Sequence, residues 1–207
     1  YKLTEPHCQL IRSASIPALS LPGETGSPRL IAGEWQGQLG PAETVQSLQL
    51  WDLTLKAGQK TDLPLQNGWH TLRLQQCTEG EHGRTIIHGF LLNNGEQLRE
   101  SPRKQRFIEF YGDSYTCGYG TEGTSHDEPF TLETENCNQA YACIIARYFD
   151  ADYALVAHSG RGILRNYGAP KAQSEGNMFD KHDRLFDADE APRYDFSAYK
   201  PQLVVVN

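Results

Sequence analysis

The sequence predicts two domains in series: an all-β sandwich or jelly roll over residues 1–98, a linker over 99–106, and an α/β domain with a parallel sheet over 107–207. Three observations predict it. Before residue 99 the chain is a succession of short runs with period-two alternation, broken by Gly, Pro and Asn, and no segment carries a helical period. Residues 99–106, Arg-Glu-Ser-Pro-Arg-Lys-Gln-Arg, are polar, basic and interrupted by a proline. Beyond them apolar strands alternate with one clear amphipathic helix, an order that implies parallel pairing in a doubly wound sheet.

The elements follow in chain order. Residues 45–51 and 70–74 alternate apolar and polar side chains, and 86–92 form a third candidate strand closed by Asn93-Asn94-Gly95. Asn67-Gly68 and Asn94-Gly95 are hairpin-type turn signals. Trp35, Trp51 and Trp69 read as core of this half. Residues 107–111 make the first strand of the second half and stop abruptly at Gly112-Asp113-Ser114. Asn138 is a candidate N-cap for a helix over 139–149, with Ala140, Ile144 and Tyr148 on one face and Tyr141, Ile145 and Phe149 beside it. Residues 153–157 form a second strand. Leu203-Val204-Val205-Val206 form a third, apolar throughout as a central strand buried on both faces is. Three strands and one helix are few for such a sheet, so the fold is expected to continue past Asn207.

Composition narrows the partners. Of 207 residues 38% are hydrophobic, and the net charge is -7 with no basic stripe, which argues against nucleic acid. No apolar run approaches the ~18 residues of a membrane span. The chain opens at Tyr1 without a signal-peptide pattern, so either a leader was removed or the sequence starts late. Five cysteines without a Cys-x-x-Cys spacing argue against a disulfide framework and a zinc site, leave one bridge open, and do not fix the compartment. Cys143, among apolar residues, reads as a buried thiol. The acidic stretch Asp180, Asp183, Asp187, Asp189, Glu190 and Asp195 lacks the order of a calcium loop and reads as a solvated, irregular segment.

The chemistry concentrates at Gly112-Asp113-Ser114. A serine there stands at the carboxyl end of a parallel strand, where such sheets present side chains to a ligand crevice. Gly112 permits a sharp turn, and Gly118 and Gly120 keep the next loop low. The pattern is not the elbow Gly-x-Ser-x-Gly, because no glycine stands two residues before Ser114. A serine hydroxyl is a weak nucleophile unless a base activates it.

Gly112-Asp113-Ser114-Tyr115-Thr116-Cys117-Gly118-Tyr119-Gly120 after a hydrophobic strand resembles block I of the SGNH (GDSL-type) hydrolases, and its longer form is similar to the carbohydrate esterase family 2 acetyl esterases. His158-Ser159-Gly160-Arg161-Gly162 and the following Ile163 to Gly168 resemble block II of the same family, and Gly68 to Leu74 with Thr78-Glu79-Gly80 resemble its β domain. The resemblance covers most of residues 45–207; residues 1–44 match poorly. It implies a jelly roll followed by a flavodoxin-like hydrolase domain, with Ser114 as nucleophile. The backbone N–H groups of Ser114 and Gly160 would stabilise the oxyanion, and Asp113 would support the turn from behind. Tyr115, Tyr119 and Tyr167 would offer aromatic faces to a sugar.

The resemblance further implies an acetylated plant cell-wall polysaccharide, xylan or mannan, or its oligosaccharides as substrate. It implies no metal and no organic cofactor, and a secreted, periplasmic or cell-surface location. The family's base is a histidine in an Asp-x-x-His motif, and its third oxyanion donor an asparagine in Gly-x-Asn-Asp; neither motif occurs in this sequence. None of His7, His70, His82, His88, His126, His158 and His182 has the required context. Asn207 matches the asparagine that ends the family's third strand rather than the oxyanion residue. An SGNH lipase or thioesterase, and a carbohydrate-binding protein with a degenerate esterase half, stand as alternatives.

Overall fold

The structure, a computed structural model, describes residues 29–32, 34, 35, 38–41, 50–52, 68–87, 90, 95, 97–190 and 192–207. The chain divides into two units, Tyr1–Trp69 and His70–Asn207.

Among the described residues the first unit contributes four short strands. β1 (Arg29–Ala32) pairs antiparallel with β4 (Leu50–Asp52), with an irregularity between Leu30 and Ala32. β2 (Glu34–Trp35) pairs antiparallel with β3 (Gln38–Leu39). Leu30 is fully buried, as the inward residue of an alternating strand is. Of the strand expected at 45–51, the described part is Leu50–Asp52, and 45–49 lie outside the described residues. The side chains of Trp35 and Trp51 lie outside them too. Trp69, expected in the core, is instead exposed, next to Gly68 at φ +143°.

The second unit begins earlier than the 99–106 segment suggests. Residues 70–77, expected in part as a strand, belong to no strand, and Leu72 and Leu74 face outward. Ile86, Ile87 and Phe90 are likewise exposed and outside any strand, while 88, 89, 91 and 92 lie outside the described residues. Alternation in these segments does not follow a ladder because side-chain and backbone bonds reach the α/β core instead. Gln75 accepts from Tyr153 Oη at 2.9 Å, and Cys77 O accepts from Cys137 N at 3.1 Å. The basic segment is pinned as well: Lys104 N donates to Asp152 Oδ2 at 2.8 Å, and Arg103 lies over the Tyr199 ring.

The core is a three-stranded parallel sheet of order β6-β5-β7. β5 (Arg106–Gly112) lies in the middle, β6 (Ala151–Ala157) on one side and β7 (Leu203–Val206) on the other. After β5 comes the one-turn helix α1 (Ser114–Cys117), then α2 (Tyr141–Tyr148) and, later, α3 (Met178–Lys181). Ile108, Phe110, Ala142, Ala146 and Ala151 form the buried cluster between sheet and α2.

Two expectations are corrected here. Asn138 is not the helix cap: it sits in a 3-10 turn over Cys137–Gln139 capped by the Asn136 side chain, and α2 starts after Ala140, which is extended (φ -77°, ψ 160°). Its buried face is Ala142, Cys143 and Ala146, while Ile144, Tyr148 and Phe149 are exposed. β7 is not buried on both faces: Leu203, Val204 and Val206 are each about half exposed, because among the described residues β7 pairs only with β5. Among the described residues no disulfide links Cys77, Cys117, Cys137 or Cys143, and Cys143 is buried. No helix among the described residues is long and apolar enough to cross a membrane.

Candidate active site

Parallel register brings the ends of the three strands to one edge of the sheet. Gly112 pairs with Ala157 and Tyr111 with Val206. His158 N donates to Gly112 O at 3.2 Å and Asn207 N to Tyr111 O at 3.0 Å, so the loop after β6 and Asn207 after β7 lie beside the Gly112-Asp113-Ser114 turn.

That turn is built by its own residues. Asp113 caps α1: its side chain accepts from Tyr115 N at 3.1 Å, and its carbonyl from Thr116 N and Cys117 N at 2.9 and 3.0 Å. Asn207 Nδ2 donates to Asp113 Oδ1 at 3.4 Å and closes the turn from the β7 side. Gly112 is required by close approach, since a Cβ there would lie 2.1 Å from Thr116 Oγ1. Ser114 is half-buried and opens the helix, where backbone N–H groups lack intrahelical acceptors. Among the described residues Ser114 Oγ has no hydrogen-bond partner, and neither Ser114 N nor Gly160 N has an acceptor.

Gly160 takes a left-handed conformation, φ +72°, in a turn fixed on both sides: Arg161 N donates to His158 O at 3.1 Å, and Tyr167 N to Gly160 O at 2.8 Å. The three tyrosines present open faces. Tyr115 and Tyr167 are highly exposed, and Tyr119 is half exposed and stacked on Phe130 with ring centroids 3.6 Å apart. A separate groove of about 870 Å³ lies by the amino ends of β5 and β6, lined in part by Leu72, Arg73, Phe107, Ala151 and Tyr199, and it includes none of these residues.

His158, adjacent to the loop, does not face Ser114. It is buried, with Nδ1 2.6 Å from Asp187 Oδ1 and Nε2 2.8 Å from Glu81 Oε2. Although burial works against ionisation of Asp187, hydrogen bonds with His158 and Lys181 hold its carboxyl down at about 2. Three other described histidines of the second unit are engaged elsewhere: His126 with Asp127, His182 with Phe179 O, and His82 near Glu79 and Glu81. The acidic stretch is not simply solvated, since Asp183 pairs with Arg193, Asp189 with Arg84, and Asp187 with His158 and Lys181.

A second layer lies beneath both loops. Glu79, 7% exposed, accepts from Ser159 N at 2.6 Å and from the Cys117 thiol at 3.4 Å, both on Oε2. Its own N–H donates to Glu135 Oε2 at 3.2 Å. Burial, reinforced by the neighbouring Glu79 carboxylate, raises Glu135 to about 7. Burial likewise pushes the Cys117 thiol up. Beyond the resemblance of Thr78-Glu79-Gly80, nothing in the sequence marks Glu79 for this role, since its partner Ser159 lies 80 residues away.

Residues 45–102 match the family described as Carbohydrate esterase 2 N-terminal. The chain is 38% identical over 143 residues to a cellulase/esterase, CelE, of Acetivibrio thermocellus, covering 69% of this chain and 17% of that protein. It is 33% identical over 153 residues to an acetylxylan esterase / glucomannan deacetylase of Cellvibrio japonicus, covering 71% and 41%. Among solved structures it is similar to a family two carbohydrate esterase from Clostridium thermocellum in complex with cellohexaose, with TM-score 0.52 and 39% identity over 57% of this chain and 35% of that one. The chain therefore spans between about a sixth and two fifths of the length of these curated relatives.

Proposed function

We propose, from the chain's kinship with the family 2 carbohydrate esterases, that it carries the nucleophile and two oxyanion donors of a serine esterase that removes O-acetyl groups from xylan, mannan or their oligosaccharides. One observation carries the reading. Ser114 Oγ stands at a helix start with no partner, at the same sheet edge as Gly160, and the backbone N–H groups of Ser114 and Gly160 have no acceptor among the described residues.

Ser114 Oγ attacks the acetyl carbonyl carbon, and the carbonyl π electrons move onto oxygen. That oxyanion rests on the two N–H groups, which are held by the α1 cap and the His158–Tyr167 turn before charge develops. Collapse breaks the C–O bond to the sugar and leaves acetyl-Ser114; water then attacks, and acetate departs. The proton moving from Ser114 Oγ to the sugar oxygen needs a base, which the family supplies as histidine from a motif absent from these 207 residues. The exposed rings of Tyr115, Tyr119 and Tyr167 suit the apolar faces of pyranose rings. A polymeric substrate implies secretion or display at the cell surface. The antiparallel pairs β1–β4 and β2–β3 support reading the first unit as a jelly roll.

A second reading, glycan binding without turnover, is favoured by the exposed rings of Tyr115 and Tyr167, which can hold a sugar without any chemistry at Ser114. One assay separates the two: acetate release from acetylated xylan by the full-length protein, with Ser114→Ala beside it. Esterase action predicts a loss of at least roughly a thousandfold in the variant. Equal activity in both proteins would sink the nucleophile assignment. No release from either, with retained binding of the oligosaccharide, would establish the second reading.

A further inference from the structure

Two loops carry the proposed oxyanion donors, and one buried oxygen takes hydrogen from both. Glu79 Oε2 accepts the Ser159 N–H at 2.6 Å, one residue before Gly160, and the Cys117 thiol at 3.4 Å, three residues after Ser114 in α1. The side chain of Glu79 is 1% exposed. The first contact is short for an N–H donor, as charge-assisted bonds are. A carboxylate in such a place costs desolvation that a neutral acceptor would cost less of, and it has to be offset by bonds and neighbours. Of its neighbours, His82 Nε2 lies 3.8 Å from Oε1, which accepts no hydrogen bond among the described residues, and a ring nitrogen of His158 lies within 4.8 Å of a Glu79 oxygen, while the acids Glu81 and Glu135 add repulsion. The cluster is thus built around one carboxylate oxygen whose two bonds, a short one from the Ser159 N–H and a weaker one from the Cys117 thiol, run to the two donor loops.

We infer that Glu79 is a positioning residue for the deacetylation proposed above: it clamps the Ser159–Gly160 turn to the nucleophile helix α1 and so sets the spacing of the two oxyanion N–H groups. Asp113 and the glycines shape each loop separately, and Glu79 joins them. Because the oxyanion forms only in the transition state, a loosened clamp lowers kcat and leaves substrate binding at the exposed tyrosines in place.

The test uses the full-length protein and acetylated oligosaccharide. Glu79→Leu removes the acceptor and Glu79→Gln keeps one without charge. The expected result is a fall in kcat of about 10–100-fold for Glu79→Leu, with KM within about twofold, and recovery to within about tenfold of wild type in Glu79→Gln. A folded Glu79→Leu with wild-type kcat, or with KM and kcat changed alike, overturns the inference. If Glu79→Leu does not fold, the unmutated protein decides. The Ser159 amide proton should resonate far downfield and exchange slowly, and a rapidly exchanging amide at an ordinary shift overturns the clamp. Ser114→Ala run alongside separates the failures: full activity there removes the esterase reading itself, whereas an inactive Ser114→Ala beside an unaffected Glu79→Leu removes only the role of Glu79.

Discussion

At Gly118 two constraints coincide in one residue. Its φ of +82° lies in the left-handed region, and a Cβ there would come within 2.4 Å of Asn136 O and 2.8 Å of Cys137 N, backbone atoms that have no rotamer to swing aside. Its N–H donates to Ser114 O at 3.0 Å and its carbonyl accepts from Asn136 N at 3.1 Å, so the residue also ties the nucleophile helix to the next loop. Gly118→Ala is expected to cost at least about 2 kcal/mol, from left-handed strain and overpacking together, read as a lower urea midpoint at unchanged m-value. An unchanged midpoint would show that the two loops separate freely. By contrast Gly120, at φ +69°, meets nothing, so Gly120→Ala carries the conformational cost alone. This is the scale at which the sequence was most legible. The demands on Gly112, Asp113, Ser114 and Gly118 are met within a few residues of one another, so they are written as a contiguous pattern. Glu79 and Glu135 act over separations of 80 and 56 residues, and nothing local distinguishes them from solvated acids.

Among the elements, β5 and β6 were legible to within two residues at each end, because each is mostly apolar between turn residues despite Glu109 in β5 and Asp152 in β6. The helix was located, and of its expected apolar residues Tyr141 and Ile145 do pack against the core, whereas Ile144, Tyr148 and Phe149 do not. Apolar periodicity weights large side chains, and α2 buries Ala142, Cys143 and Ala146 so that its backbone can approach Ile108 and Phe110; the large Ile144 and Tyr148 point outward. Small residues at the contact leave no room to grow. Ala146→Leu is expected to destabilise by about 1–3 kcal/mol through overpacking, whereas Ile144→Leu on the exposed side should stay within about 0.5 kcal/mol. Urea unfolding of the two variants checks the assignment, and the opposite order would restore the face that the periodicity suggested. Polar alternation in residues 70–74 misled for a related reason: the pattern reports which side chains could face a core, and only ladder partners, missing there among the described residues, turn it into a strand.

For the molecule as a whole, a partly buried carboxyl, Asp187, and a buried one, Glu135, pull stability in opposite directions with pH. Asp187 titrates in the folded chain at about 2 against an ordinary 3.8, its burial outweighed by the bonds to His158 and Lys181. Its folded pKa is depressed, so its contribution is complete above about pH 4 and is lost as pH falls toward 2. Glu135 is raised to about 7 from an ordinary 4.5, by burial first and by Glu79 second. The folded state keeps a proton that the unfolded chain gives up, so this contribution is complete below about pH 4.5 and is lost as pH rises through 7. Each limb is on the order of 2 kcal/mol. Together they place maximal stability between about pH 4 and 5, on the acid side of the usual optimum. Urea midpoints from pH 2 to 8 should therefore rise, crest and fall. Glu135→Gln, which keeps an acceptor for Glu79 N, should flatten the limb above pH 4.5 and leave the acid limb. Asp187→Asn should do the reverse. If both variants track the wild-type curve, the pH response belongs to exposed groups and the buried layer is electrostatically silent. A flattened upper limb in Glu135→Gln alone would identify the proton held beneath the two donor loops as the one the fold depends on.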